Sequence, residues 1–188
     1  MSKTAIVDID NTLWQFSDPF YRELKRINPN FPAPARWDRA DFWKGYCSEG
    51  EFFNAVNSIH NNQDSDQYLP YPESQNFLLS LKEQGYYVIL ASHRVPEAKQ
   101  PTERWLTRHG LLYDQLHLSS DKTVLFPGAA VVVDDAPLTL IKAVESGALA
   151  AGLLFPWNSA YAGNGFGLFC NLNEVLDYIL RGAKDRKN

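Results

Sequence analysis

Short apolar runs alternate with segments of helical period along most of this 188-residue chain. The runs predict strands, and the segments with apolar residues at helical spacing predict helices. Strands are predicted over residues 4–7, 86–91, 115–118, 129–133 and 148–155, and helices over 73–84, 101–109, 137–146 and 171–180. Strands that alternate with helices in this way predict a parallel sheet with right-handed crossovers and helices on both of its faces.

The segment after the first strand interrupts this alternation. It has no strand-like run, and its helix signals are Asp18-Pro19 and the capping-box pattern Ser48-x-x-Glu51. Residues 14–71 hold 13 of the 25 aromatic residues. Most of a group of five are expected to fill the interior of a small unit, namely Phe20, Tyr21, Phe42, Phe52 and Phe53. The predicted fold is therefore α/β: a Rossmann-like core of residues 1–17 and 70–188, with a small helical cap of residues 18–69 inserted after the first strand.

Polar residues follow four of the apolar runs at the point where each run ends. They are Asp8 and Asp10 after the first run, Ser92 after the second, Lys122 after the third, and Asp134 and Asp135 after the fourth. The carboxyl ends of parallel strands meet at one edge of the sheet, where open α/β sheets bind ligands. Alone, each has an ordinary explanation: a turn aspartate, a surface lysine or a helix-capping serine. Together, they predict an active site.

The residue types indicate phosphate chemistry. Clustered acids repel one another and a phosphate dianion unless a cation intervenes, and Mg²⁺ prefers such oxygen ligands. A carboxylate can attack phosphorus to form an aspartyl-phosphate, and a second acid can protonate the leaving alkoxide and then activate water. Lys122 and Ser92 would hold the phosphoryl oxygens, and Arg94 is also predicted to bind substrate. The histidines have no zinc-ligand spacing.

Composition argues against several other classes. The formal net charge of −4 argues against binding of a nucleic-acid polymer. The sequence has no apolar stretch near the ~18 residues of a membrane span, no signal-peptide pattern and too few cysteines for a disulfide framework. The expectation is a protein of the reducing cytoplasm acting on a small phosphomonoester, with its oligomeric state left open. The glycine-rich residues 163–167 follow the last strong strand and predict a surface turn rather than a phosphate loop.

The motifs, in this order, resemble the four motifs of the haloacid dehalogenase superfamily, in its phosphatase branch. They are Asp8-x-Asp10-x-Thr12, Ser92, Lys122 and Asp134-Asp135, and they span about residues 4–155. The resemblance implies that Asp8 is the nucleophile and Asp10 the general acid/base, and that Ser92 and Lys122 bind phosphate. An insert after the first motif resembles the helical cap of that superfamily.

The same resemblance implies a particular set of magnesium ligands. These are the Asp8 carboxylate, the backbone carbonyl of Asp10 and an acid of the last pair. In relatives with such a pair the second acid usually reaches the metal, which favours Asp135 as the ligand and gives Asp134 a supporting role.

A narrower resemblance is to the 5'(3')-deoxyribonucleotidases, which remove phosphate from nucleoside monophosphates. It rests on Asp121-Lys122-Thr123-Val124, on the run into the last acid pair and on Glu103-Arg104-Trp105. It implies that Phe16 contacts the base. Asn11-Thr12 and His93-Arg94 depart from the pattern of that family.

Two alternatives remain open at this point. A phosphatase with the same chemistry could act on another small phosphorylated metabolite. A phosphorylatable signalling receiver also combines acids, a hydroxyl and a lysine on a parallel sheet. However, a receiver carries its acid pair on the first strand, whereas here the adjacent pair comes last.

Overall fold

The computed structural model describes residues 3–37 and 41–185. In these residues a six-stranded sheet has the order β3-β2-β1-β4-β5-β6, and all neighbouring strands are parallel. The strands are β1 (Lys3–Val7), β2 (Tyr86–Ser92), β3 (Gln115–Leu118), β4 (Ala129–Val133), β5 (Leu149–Leu153) and β6 (Gly167–Phe169). This is the strand order of Rossmann-like sheets, and it differs from the 2-1-3-4-5 order of receiver-like folds.

Six helices accompany the sheet in the described part of the chain. They are α1 (Ser17–Ile27), α2 (Glu49–Asn61), α3 (Ser74–Glu83), α4 (Lys99–Arg108), α5 (Pro137–Glu145) and α6 (Leu172–Asp185). Short 3-10 turns lie at Pro34–Arg36, Pro96–Ala98, Thr123–Leu125 and Ser159–Tyr161. None of the helices in the described ranges is long and apolar enough to cross a membrane.

The sheet is buried on both faces, as its apolar strands require. Alternate residues of β1 belong to different clusters because strand side chains alternate between the two faces. Ala5 and Val7 pack in the cluster that holds α3 and α6 residues, whereas Ile6 packs in the cluster that holds Leu140 and Ala143 of α5. Helices therefore cover both faces, and the predicted α/β fold is confirmed.

Most predicted boundaries agree with the observed ones within about two residues. The strand β6 was not predicted, because it has only three residues and begins with a glycine. The glycine-rich segment does form an exposed turn through Gly163 and Gly165, both with positive φ, but Gly167 already belongs to β6. The helix α6 extends beyond the predicted end, to Asp185.

The described residues between β1 and α3 contain the helices α1 and α2 and one of the 3-10 turns. The helix α2 begins with the predicted capping box: the Glu51 N–H donates to Ser48 Oγ (3.3 Å), and the Ser48 N–H donates to Glu51 Oε2 (2.8 Å). Stacked and edge-on rings fill the interior of the insert, and Phe20 contacts Trp37 and Phe52. Four of the five expected core rings pack in or against the main hydrophobic cluster (Phe20, Tyr21, Phe42 and Phe52), whereas the Phe53 side chain is half exposed. The division into a cap of residues 18–69 and a core remains a prediction.

Candidate active site

The register of β1 and β4 brings two of the predicted acids together. Val7 pairs with Val133, and the Asp8 N–H donates to the Val133 carbonyl at 2.8 Å. Asp8 and Asp134 are the next residues of these neighbouring strands, so they leave the sheet side by side at its carboxyl edge. Both side chains are buried.

Three carboxylates at this edge could hold one cation. Asp8, Asp134 and Asp135 each offer one oxygen, and these oxygens lie within 4.8 Å of one another. The Lys122 ammonium lies 2.6 Å from Asp8 Oδ1 and 2.6 Å from Asp134 Oδ2. The Asp10 carboxylate is not part of this group, and its carbonyl as a metal ligand remains a prediction.

Burial and mutual repulsion change the acidity of this cluster. Burial raises the pKa of Asp8 to about 7, with Lys122 opposing the rise and Asp134 adding to it. Burial, Asp8 and Asp134 together raise the pKa of Asp135 well above its usual value. Burial acts to lower the pKa of Lys122, but the Asp134 and Asp8 carboxylates outweigh it and hold this pKa above its usual range. The lysine therefore stays charged.

The donor set fits Mg²⁺ in both chemistry and charge. All candidate ligand atoms are carboxylate oxygens, which Mg²⁺ prefers. Four carboxylates and two cationic side chains lie at this edge: Asp8, Asp10, Asp134 and Asp135, with Lys122 and Arg94. Their formal charges sum to −2, which is the charge that a divalent ion would neutralise. The pKa values of Asp8 and Asp135 are raised because burial and the neighbouring carboxylates outweigh the positive charge of Lys122.

Asp10 has a separate set of partners. The Arg94 guanidinium donates to both of its oxygens, from Nη2 to Oδ1 at 2.6 Å and from Nε to Oδ2 at 3.1 Å. The Trp14 indole N–H donates to Oδ1 (2.9 Å), Ser92 Oγ donates to Oδ2 (3.2 Å), and His60 Nε2 lies 3.1 Å from Oδ2. Burial acts to raise the pKa of Asp10, but Arg94 and His60 outweigh it and hold this pKa well below its usual range.

Arg94 binds Asp10 in the structure, and its contact with substrate remains a prediction. Its side chain is fully buried, and Nη1 donates to Thr102 Oγ1 (2.7 Å) and to Gln63 Oε1. Together with the two bonds to Asp10, these bonds use all three nitrogen atoms of the guanidinium. Its observed role is to hold Asp10 and to join it to Gln63, which follows α2 of the insert.

A cavity of about 340 Å³ lies beside the acids. Asn11 and Asp135 line its polar end, and the remainder of the wall is apolar and largely aromatic. The apolar wall consists of Phe16, Phe20, Trp37, Phe42, Ala136, Pro137, Leu138, Trp157 and Tyr161. Phe16 therefore borders the cavity, and it also stacks on Phe20 with ring centroids 5.2 Å apart. Its contact with a base remains a prediction.

Sequence reasoning did not identify two polar partners of Asp135. Asn11 Nδ2 and the Trp157 indole N–H each donate to Asp135 Oδ2 at 3.2 Å. Asn11 also accepts the Ser17 N–H at the start of α1 (2.8 Å), and its φ of 56° is a left-handed conformation that asparagine tolerates. Its place inside the first motif was an available signal. Trp157 lies 22 residues after Asp135 and carried no signal.

No protein-family model and no curated protein matches the sequence. Solved structures match nearly the whole chain. A predicted phosphoglycolate phosphatase from Haemophilus somnus matches with a TM-score of 0.68 at 18% identity, over 94% of this chain and 97% of that chain. A haloacid dehalogenase-like hydrolase from Streptococcus pneumoniae matches with a TM-score of 0.61 at 15% identity, over 94% and 98%. The chain has the haloacid dehalogenase-like fold.

A third match of this fold is a putative β-phosphoglucomutase from Thermotoga maritima, with a TM-score of 0.65 at 15% identity, over 95% of this chain and 99% of that chain. These matches share the fold, and membership of the superfamily, which the motifs resemble, remains a prediction. The narrower resemblance to deoxyribonucleotidases is not among their descriptions and remains a prediction.

Proposed function

We propose that this protein is a Mg²⁺-dependent phosphomonoester hydrolase that works through an aspartyl-phosphate on Asp8. The observation that carries the proposal is the cluster of three carboxylates within 4.8 Å at the carboxyl edge of the sheet, next to a 340 Å³ cavity. The haloacid dehalogenase-like fold supports it, since matched structures are described as a predicted phosphoglycolate phosphatase and a putative β-phosphoglucomutase.

Asp8 is the residue that attacks phosphorus in this proposal. Mg²⁺ held by Asp8 and Asp135, with Asp134 in a supporting role, would neutralise phosphoryl charge and so allow a carboxylate to approach a dianion. Lys122 keeps Asp8 oriented through its 2.6 Å contact and provides a fixed positive charge where charge spreads over the phosphoryl oxygens. Ser92, whose hydroxyl donates to Asp10 Oδ2 at 3.2 Å, would donate instead to one of these oxygens when a phosphoryl group is bound.

Asp10 carries the proton transfers. The Arg94 contacts hold Asp10 ionised, which suits the base that takes a proton from the water attacking the aspartyl-phosphate. In the preceding step Asp10 gives a proton to the leaving alkoxide. This step requires Asp10 to be protonated when substrate is bound, so the arriving phosphoryl charge must weaken the hold of Arg94 and His60 on the carboxylate.

The aromatic cavity defines the organic part of the substrate. A wall dominated by rings favours a flat, apolar group, and stacking on an aromatic side chain contributes about 1–3 kcal/mol per base. A nucleoside monophosphate has both a phosphoryl group for the acid cluster and a base for the cavity. Phe16 borders the cavity and would contact that base.

The alternative substrate is another small phosphorylated metabolite. Phosphoglycolate phosphatase and β-phosphoglucomutase, the descriptions of two matched structures, indicate small acid or sugar phosphates for those proteins. The apolar wall of the cavity favours the nucleotide for this chain, because it presents few donors and acceptors for a sugar or a second acid.

A substrate screen tests both levels of the proposal. Phosphate release would be measured for nucleoside monophosphates, sugar phosphates, phosphoglycolate and an aryl phosphate, each with Mg²⁺ and with a chelator. We expect Mg²⁺-dependent release with the highest kcat/KM for a nucleoside monophosphate. Preference for a sugar phosphate or phosphoglycolate would overturn the nucleotide assignment alone, and the absence of release from every ester would overturn the hydrolase.

A further inference from the structure

The loop that follows β5 is tied directly to Asp135. The Asn158 side chain is fully buried, and its Nδ2 donates to the Asp135 carbonyl (3.0 Å) and to the Leu153 carbonyl (2.8 Å). Its Oδ1 accepts the Phe155 N–H at 2.8 Å. Asn158 thereby fixes residues 153–158 against the backbone of the predicted metal ligand.

Trp157 adds a bond to the side chain of the same acid. Its indole N–H donates to Asp135 Oδ2 at 3.2 Å, and the Asn11 amide donates to the same oxygen at the same distance. A carboxylate held by two N–H donors on one oxygen has a restricted orientation. Partners of this kind, which bond to a metal ligand rather than to the metal, set the ligand's direction and its affinity.

The ring of Trp157 also forms part of the cavity wall. It stacks on Phe155 with centroids 4.4 Å apart and an interplanar angle of 6°. Its other neighbour is Trp37 of the insert, at 6.3 Å and 30°, and both tryptophans line the cavity. The indole therefore has one edge on the acid cluster and its ring on the space proposed for the organic group.

We propose that Trp157 has two roles: it positions Asp135 for the metal through its N–H, and it selects substrates with a flat apolar group through its ring. The substrate-selecting role rests on the proposed function. The positioning role rests on the geometry around Asp135 alone. Because both roles belong to one rigid side chain, the organic group of a substrate would pack against the same ring that orients the metal ligand.

The positioning role is tested by magnesium binding without substrate. Trp157→Phe keeps a ring and removes the N–H, and Trp43→Phe is the matched control because Trp43 stacks on Phe52 outside the cavity. Isothermal titration calorimetry should show the Kd for Mg²⁺ raised about tenfold in Trp157→Phe and unchanged in the control. A Kd within twofold of the parent in Trp157→Phe would overturn the positioning role.

The selecting role is tested by the ratio of kcat/KM for a nucleoside monophosphate to that for acetyl phosphate, both at saturating Mg²⁺. Trp157→Phe should keep this ratio within about threefold, and Trp157→Leu should lower it by about tenfold because it removes the stacking surface. An unchanged ratio in a folded Trp157→Leu protein would overturn this role. If the parent protein hydrolyses neither ester, the proposed function is overturned instead. The calorimetry still tests whether Trp157 positions Asp135.

Discussion

At the scale of single residues, the four carboxylates of the site differ in their compensating charges. Asp10 has a bidentate arginine, Asp8 and Asp134 share one lysine, and Asp135 has only neutral N–H donors among its described contacts. Their pKa values consequently move apart, down for Asp10 and up for Asp8 and Asp135. Pairs of titratable groups separated in this way mark different roles in one mechanism.

Asp8→Asn should abolish phosphate release, with a loss of at least about a thousandfold in kcat, because the amide cannot attack phosphorus. It should also raise the Tm of the metal-free protein at pH 8, where the folded chain holds an ionised carboxylate whose pKa has been raised to about 7. The exposed Asp18 at the start of α1 provides the control variant Asp18→Asn. Turnover within tenfold of the parent would contradict the nucleophile assignment.

The same pKa gives a testable pH dependence of stability. The folded pKa of Asp8 lies above the unfolded one, so protonation of Asp8 stabilises the metal-free fold as pH falls from about 8 to about 5, and this stabilisation is lost again as pH rises through about 7. Denaturant titrations should therefore show a steeper gain in unfolding free energy over this range for the parent than for Asp8→Asn. Identical slopes would contradict the raised pKa.

Asp10→Asn should slow the hydrolysis of alkyl esters more than that of aryl esters. An alkoxide leaving group needs a proton from Asp10, whereas a phenolate leaves with less assistance. The measurement compares kcat/KM for a nucleoside monophosphate and for an aryl phosphate in parent and variant. Equal losses for the two esters would remove Asp10 from the acid role.

Arg94→Met should lower the free energy of unfolding by about 3 kcal/mol, because it leaves the Asp10 carboxylate without its buried partner. The matched control is Arg104→Met, since Arg104 forms an ion pair with Asp64 at the surface and such pairs contribute under about 1 kcal/mol. Urea titrations of the two variants provide the comparison. Equal losses would show that the Arg94 pair is no stronger than a surface pair.

At the scale of secondary-structure elements, the ends of adjacent parallel strands assemble the site. The strand β1 delivers Asp8, and its neighbour β4 delivers Asp134 and Asp135 on consecutive residues. Both carboxylate oxygens of Asp134 contact protein groups. Oδ2 contacts Lys122, and Oδ1 accepts the Ala136 N–H just before α5 (2.9 Å). These contacts favour Asp135 over Asp134 as the proposed metal ligand, and the assignment remains a prediction.

Asp135→Ala should therefore raise the Mg²⁺ concentration for half-maximal rate more than Asp134→Ala does, by about tenfold or more. Asp134→Ala should instead lower the Tm, because it leaves the part-buried Ala136 N–H at the start of α5 without its acceptor. Activity at varied Mg²⁺ and thermal melts of both variants separate the two effects. The reverse order of magnesium requirements would exchange the assignments.

At the scale of the whole molecule, aromatic contacts join the insert to the sheet. Phe16 lies at this junction, with its ring centroid 5.7 Å from Trp14, 5.2 Å from Phe20 and 5.1 Å from His60. Trp37 of the insert meets Trp157 of the core, and Gln63 meets Arg94. The cavity therefore has walls from both parts, and its shape depends on their packing.

Phe16→Ala should lower the transition-state stabilisation for a nucleoside monophosphate, calculated from kcat/KM, by up to ~3 kcal/mol. The kcat/KM for acetyl phosphate should be nearly unaffected. The ring is buried, so the same change should lower the unfolding free energy by about 3 kcal/mol. Phe16→Leu keeps much of the side-chain volume and so separates the loss of the base contact from the loss of stability. Phe53→Leu is the control, because the Phe53 side chain is half exposed. Equal slowing of all esters in folded protein would contradict the base contact.

The sequence alone determined the α/β class, most of its strands and helices, and the position of Asp8, Asp134 and Asp135 at one edge. These features follow from local rules: hydrophobic period selects the element, and parallel strands place their carboxyl ends together. The capping box at Ser48 was likewise readable, because both of its partners lie within one helical turn. The three-residue strand β6 could not be predicted from the sequence, because it is a strand through its pairing with β5 and not through a pattern of its own.

Only the tertiary structure decided which partner each acid has. Arg94 was expected to bind substrate, but its guanidinium meets Asp10, 84 residues away in sequence, and Gln63 of the segment after α2. Trp157 reaches Asp135 because Asn158 fixes the loop after β5. No local period encodes such contacts, since they depend on how the chain brings distant loops to one sheet edge and on which side chains remain to satisfy buried charges there.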